Sequence, residues 1–136
     1  MTAEINSKVG HGALVIDITG SADSHNLGNI LNPEGVACVI LEAELYIVHA
    51  GLATSDLHIG VGAASAGVNQ NDMGDNLPVD GTAGLVYALI HPTAVNTSIT
   101  VPAIWHADDY ITFFTDTAYS TGFIGKLFVR YVRLTD

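Results

Sequence analysis

The chain is poor in cysteine, in basic residues and in uninterrupted apolar runs, and each shortage removes a class of protein. Cys38 is the single cysteine among 136 residues. It cannot form an internal disulfide, and without a CxxC pair or a Cys/His cluster the pattern of structural zinc is missing as well. Four Lys and Arg stand against fourteen Asp and Glu, a formal charge of -10. Nonspecific binding to nucleic acid or to an anionic membrane needs clustered cations, so neither is expected as a partner. The richest apolar run, Val36 to Val48, is interrupted by Glu42 and Glu44, and the opening MTAEINSKVGHG holds no apolar core of signal-peptide length. Neither a membrane span nor a signal peptide is expected. There is no GxSxG, no HExxH and no glycine-rich phosphate loop at a strand-to-helix junction. The sequence therefore predicts no catalytic residue and no cofactor, and it is read as a protein that is not an enzyme.

Strand patterns are what the chain has in abundance. From Gly35 to Gly62 apolar residues alternate, first Val39, Leu41, Ala43, Leu45 and Ile47, then Leu57, Ile59 and Val61 after a linker at 50–55. Period-2 alternation is the mark of a strand with one buried face, and the two runs read as an antiparallel hairpin. Leu14, Ile16 and Ile18 give a further half-buried strand. Asn32-Pro33-Glu34-Gly35 has the residue order of a type I turn. Leu85 to Ile90 is apolar on both parities, as in a strand covered on both faces. Strands are also read at 97–105, where Pro102 favours an edge, and at 110–115 and 122–134, with a short one near 31. Residues 62–84, rich in Gly, Asn and Asp, read as a long surface loop.

No segment has helical periodicity, and no repeat at a fixed period appears. The expected fold is all-β: one antiparallel β-sandwich of seven or eight strands, jelly-roll-like, spanning 13–136 behind a loosely tied arm at 1–12. A closed barrel is the alternative, because pattern gives strands and not their pairing.

Three groups of residues are candidates for a site. Asp72, Asp75 and Asp80 lie in the long loop and offer weak calcium ligands, the spacing matching a calcium loop poorly and no helix flanking it. His49 and His58 bracket the expected hairpin, too few ligands for a metal site unless others converge. Lys126, Arg130 and Arg133 put three of the four basic residues on the last strand of an otherwise acidic chain. They can pair with Asp17, Glu42 or Glu44 within the chain, or with a neighbouring molecule. The even-numbered face of the first strand of the hairpin carries Ile40, Tyr46 and Val48 beside Glu42 and Glu44. That face is too apolar for water, so Ile40, Tyr46, Val48, Lys126, Arg130 and Arg133 form the expected oligomer or partner interface. Aromatic residues crowd the final third, and Phe113 and Phe114 must point to opposite faces. Trp105 and Tyr119 near loops offer a sugar platform, with core packing the commoner use of a tryptophan.

LEAELYIVHAGLATSDLHIGVGAA, the acidic loop, and WHADDYITFFTDTAYSTGFIGKLFVRYVRL together resemble the head decoration or head-fibre-like β-sandwich proteins of tailed bacteriophages. The resemblance rests on strand patterns over 13–134 and implies a virion protein on the capsid surface, forming a trimer or small ring. Its implied partners are copies of itself and the major capsid protein, met through the N-terminal arm or a loop edge. It implies no catalytic residue. The competing readings are a lectin-like carbohydrate-binding sandwich using the 62–84 loop with calcium, and a small metal-dependent enzyme on a cupin-like barrel.

Overall fold

The alternation in the sequence becomes nine strands in the structure, a computed structural model that describes residues 11–63, 73–90, 103–116 and 118–134. They are β1 (His11–Thr19), β2 (Asn26–Leu31), β3 (Cys38–His49), β4 (Asp56–Gly62), β5 (Gly74–Pro78), β6 (Val86–Ile90), β7 (Ala103–Trp105), β8 (Tyr110–Thr115) and β9 (Ile124–Arg133). A front sheet runs β1-β9-β3-β6, with β7 also on β3, and a back sheet runs β2-β8-β4-β5. Every pairing is antiparallel. The chain passes from sheet to sheet between most successive strands, which is the winding of a jelly roll. The fold is the expected β-sandwich, with β1 starting at His11 and residues 1–10 outside the described part.

The hairpin expected between the runs at 35–49 and 57–62 is not formed: β3 lies in the front sheet and β4 in the back. The linker between them is an arch. Its amides bond outward, Gly51 N–H to Val79 O at 2.7 Å and Leu52 N–H to Thr121 O at 2.8 Å, instead of closing a turn. His49 consequently ends β3 exposed while His58 is buried in β4, and the two do not converge.

A second departure lies inside β3. Its register against β9 shifts between Ile40 and Glu42, so Leu41 is an extra residue and the face pointing to the core changes parity. Cys38 and Ile40 face inward before the bulge, and Ala43, Leu45 and Ile47 after it, all fully buried. Ile40, expected on the outer face, is therefore a core residue. Front-sheet Leu45, Ile47, Leu127 and Val129 meet back-sheet Leu57, Ile59, Ile111 and Phe113 in one core, with Trp105 and Phe123 buried in the same cluster.

The 62–84 region is more than a loop, since β5 lies within it and Met73 and Val79 enter the core. β6 is not covered on both faces. Val86 is 50% exposed because β6 lies at the end of the front sheet's strand order with its even side outward. The expected strand at 97–105 is described only over β7, and Pro102 lies outside the described residues.

Candidate interaction face

The outer face of the front sheet is built by β1, β9 and β3, whose register is unbroken from Glu42 to Ile47, with β6 alongside β3. On β9 the even residues point out, and β1 and β3 bring partners to each. Ala13, Arg130 and Glu42 form one row; Val15, Phe128, Glu44 and Ala88 the next; Asp17, Lys126, Tyr46 and Val86 the third. Two intrachain ion pairs frame the middle row. Arg130 Nε lies 3.1 Å from Glu42 Oε2, and Lys126 Nζ lies 2.6 Å from Asp17 Oδ1. Between them Val15 is 58% and Phe128 44% exposed. A groove of about 260 Å³ opens along this row, lined by Ala13, Leu14, Val15, Phe128 and Val129 together with Glu42, Glu44 and Arg130. An apolar centre inside a charged rim is the anatomy of a protein-binding surface.

Four of the six residues expected at an interface fall on this face or its end: Tyr46, Val48, Lys126 and Arg130. Ile40 is in the core. Arg133, of the other parity, lies at the end of the sandwich, its Nε 3.2 Å from Glu34 Oε2. Sequence reading missed Val15 and Phe128, whose signal was their place on the same parity as Asp17 and Lys126.

The Glu34 end is closed by polar contacts. Tyr131 donates its hydroxyl to Glu34 Oε1 at 2.6 Å, and burial together with that hydrogen bond raises its pKa to about 12. Gly12 lies opposite Tyr131, and a Cβ there would fall 2.2 Å from the ring, so any other residue would have to displace the tyrosine from its place against Glu34. Asn32 of the predicted turn is buried and donates through Nδ2 to Val36 O at 2.9 Å, Trp105 O at 2.9 Å and His106 O at 3.1 Å. Burial pushes the Cys38 thiol pKa up, which keeps it protonated and unreactive.

The back sheet's outer side centres on His58, whose side chain is 3% exposed. Its Nδ1 is hydrogen-bonded to Asp75 Oδ1 at 2.8 Å. Its Nε2 is 2.8 Å from Asp116 Oδ2, an ion-pair distance without hydrogen-bond alignment. Asp75 is thus committed to His58. Asp80 is exposed and acts on Tyr87, whose pKa is raised by burial first and by Asp80 and Asp56 after it. Asp72 lies outside the described residues, among which no cluster of three metal-ligating side chains occurs. Phe113 and Phe114 split as expected, Phe113 into the core and Phe114 outward toward His25, which also stacks on Tyr119 at 4.8 Å. Trp105 is fully buried, with Nε1 donating to Asp109 O at 2.9 Å, and offers no sugar platform. Among the described residues no helix is long and apolar enough to cross a membrane.

No protein-family model matches the sequence, and no curated protein matches it. Among solved structures, a chain of the capsid of Ralstonia phage GP4 is similar over 100% of this chain and 93% of its own length, at 18% identity and a TM-score of 0.56. At that identity what the two chains share is the fold.

Proposed function

We propose that the chain is a noncatalytic virion structural protein, a capsid-associated subunit that binds the major capsid protein through the outer face of its front sheet. The observation that carries this reading is the end-to-end likeness in fold to a chain of a phage capsid. The open groove between two ion pairs supports it from the chain's own residues. The subunit decorates the shell and self-associates there, and Val15 and Phe128 are the apolar anchors toward capsid protein, with Tyr46, Val48, Lys126 and Arg130 around them. Ion pairs already satisfied within the chain leave little charge to desolvate on docking, which lets the apolar centre drive binding.

The test is cosedimentation of the purified chain with capsid shells from the phage that encodes it. The wild-type chain is expected to saturate a fixed number of sites per shell. Phe128→Asp, on a half-exposed side chain that does not hold the core, should weaken binding by about tenfold or more. A wild-type chain that leaves every shell bare would sink the proposal.

A further inference from the structure

The strands at the ends of the two sheets are protected to very different degrees. β2 has six residues, a register shift between Asn26 and Gly28, and Gly28 at φ 128°. β5 has five, a register shift against β4, Asn76 in the left-handed region at φ 51°, and Pro78. β6 also has five and a register shift against β3. Short, bulged or proline-bearing strands make poor templates for another strand. β1 has none of these devices. It runs for nine residues in unbroken register with β9, contains no Lys and no Pro, and has no strand on its other side among the described residues.

We infer that β1 is the site at which a second copy of this chain adds to the front sheet, antiparallel and about a two-fold axis, centred on Val15. Full overlap of His11–Thr19 places Val15 opposite the partner's Val15 and Ala13 opposite the partner's Asp17. Such a pair is about 30 Å long. Its side chains are complementary on both faces. On the outer face, Val15 meets Val15 with a Phe128 beyond each, so the apolar β1 and β9 part of the middle row of one subunit continues into the next. In the flanking row the order becomes Glu42, Arg130, Ala13, the partner's Asp17, the partner's Lys126, which alternates in sign. The small methyl of Ala13 leaves space for the Arg130 guanidinium, paired through Nε with Glu42, to extend its other nitrogens toward the partner's Asp17, about 10 Å away across two strand spacings. On the inner face, Leu14 lies opposite the partner's Ile16. Both are only partly buried in the single chain and pack at the rim of its core. Pairing covers all four of them.

A two-fold pair buries the same edge on both subunits and so closes on itself without leaving another unprotected β1 edge. It replaces the trimer or ring that the family resemblance implies. The inference does not depend on a capsid partner, because it concerns only this chain and itself.

Cysteine cross-linking reads the register directly. Val15→Cys should give a disulfide-linked dimer on mild oxidation. Ala13→Cys and Asp17→Cys should each stay uncross-linked alone and should cross-link when mixed. Cys38 is fully buried and does not compete. In parallel, Val15→Lys places two like charges opposite each other and should weaken self-association by about tenfold or more, with the circular dichroism spectrum unchanged. The inference is overturned by a wild-type chain that sediments as a monomer at its highest soluble concentration, by a Val15→Lys variant that associates as before, or by a Val15→Cys variant that stays uncross-linked. Shell binding is measured separately, so a dimer that ignores capsids would reject the proposed function and leave the strand pairing intact.

Discussion

The two sheets share one core and treat their outer sides in opposite ways. The back sheet seals its centre with polar groups, His58 being nearly inaccessible with a carboxylate oxygen at 2.8 Å from each ring nitrogen, and leaves Leu31 exposed only on its end strand β2. The front sheet pairs its charges at the margins and leaves Val15 and Phe128 in water. The His58 contact at the back holds the subunit together, whereas the exposed side chains at the front contribute little to its core, which under the proposed function leaves them for a partner. Substitutions at the two sides should therefore separate stability from association.

The largest expected loss of stability is at the back. His58→Ala leaves Asp75 and Asp116 facing each other over a void, and should cost about 3 kcal/mol in chemical denaturation. A loss below about 1 kcal/mol would mean that the back side is not sealed by this contact.

Next comes the closed end of the sandwich, through its pH dependence. The pKa of Tyr131 is about 12 in the folded chain against an ordinary 10. The protonated phenol is thus favoured by folding, its contribution is complete below pH 10, and it is lost as pH rises through 12. The thermal midpoint should fall across that window. Tyr131→Phe should be less stable at neutral pH, by about 1 kcal/mol, and should lose less of its stability between those limits.

At the front, Phe128→Ala should cost less than about 1 kcal/mol in stability while reducing shell binding, since a half-exposed ring gives up little core. A large loss of stability there would erase the contrast between the two sides. Smallest of all, Lys126→Ala should change stability by about 0.5 kcal/mol or less, its pair with Asp17 being exposed and screened by salt. Denaturation in low and high salt reads that difference.

Much of this arrangement was legible in the sequence, and the failures have physical causes. Period-2 alternation located most of the strands, sent Phe113 and Phe114 to opposite faces, and put Lys126 and Arg130 on one face, where the structure pairs them with Asp17 and Glu42. Alternation reports a face only as far as the next bulge. Leu41 interrupts β3, so the inward parity before it differs from the parity after it, and Ile40 was assigned to the wrong side. Pairing is a nonlocal property: nothing between His49 and Asp56 distinguishes an arch from a turn, because the decisive bonds go to Val79 and Thr121. β5 was hidden because Gly74, Asp75 and Asn76 are turn residues by composition, and what anchors the strand is Leu77 with the neighbouring Met73 and Val79. Val15 and Phe128 were visible as outward residues, but their joint exposure depends on β1 and β9 being neighbours.

The position of β9 has a consequence for how the subunit is made. It lies between β1 and β3 and pairs with both, so it is the strand that joins β1 to the rest of the front sheet. Until β9 is in place, β1 has no paired strand among the described residues and the groove lacks Phe128 and Arg130. Folding must wait for contacts between residues more than a hundred positions apart, as in His11 with Val132, which places it among slow, millisecond-to-second folders. A chain clipped before β9 therefore loses the middle of the front face, since Lys126, Phe128 and Arg130 go with the strand and β1 is left without its pairing partner.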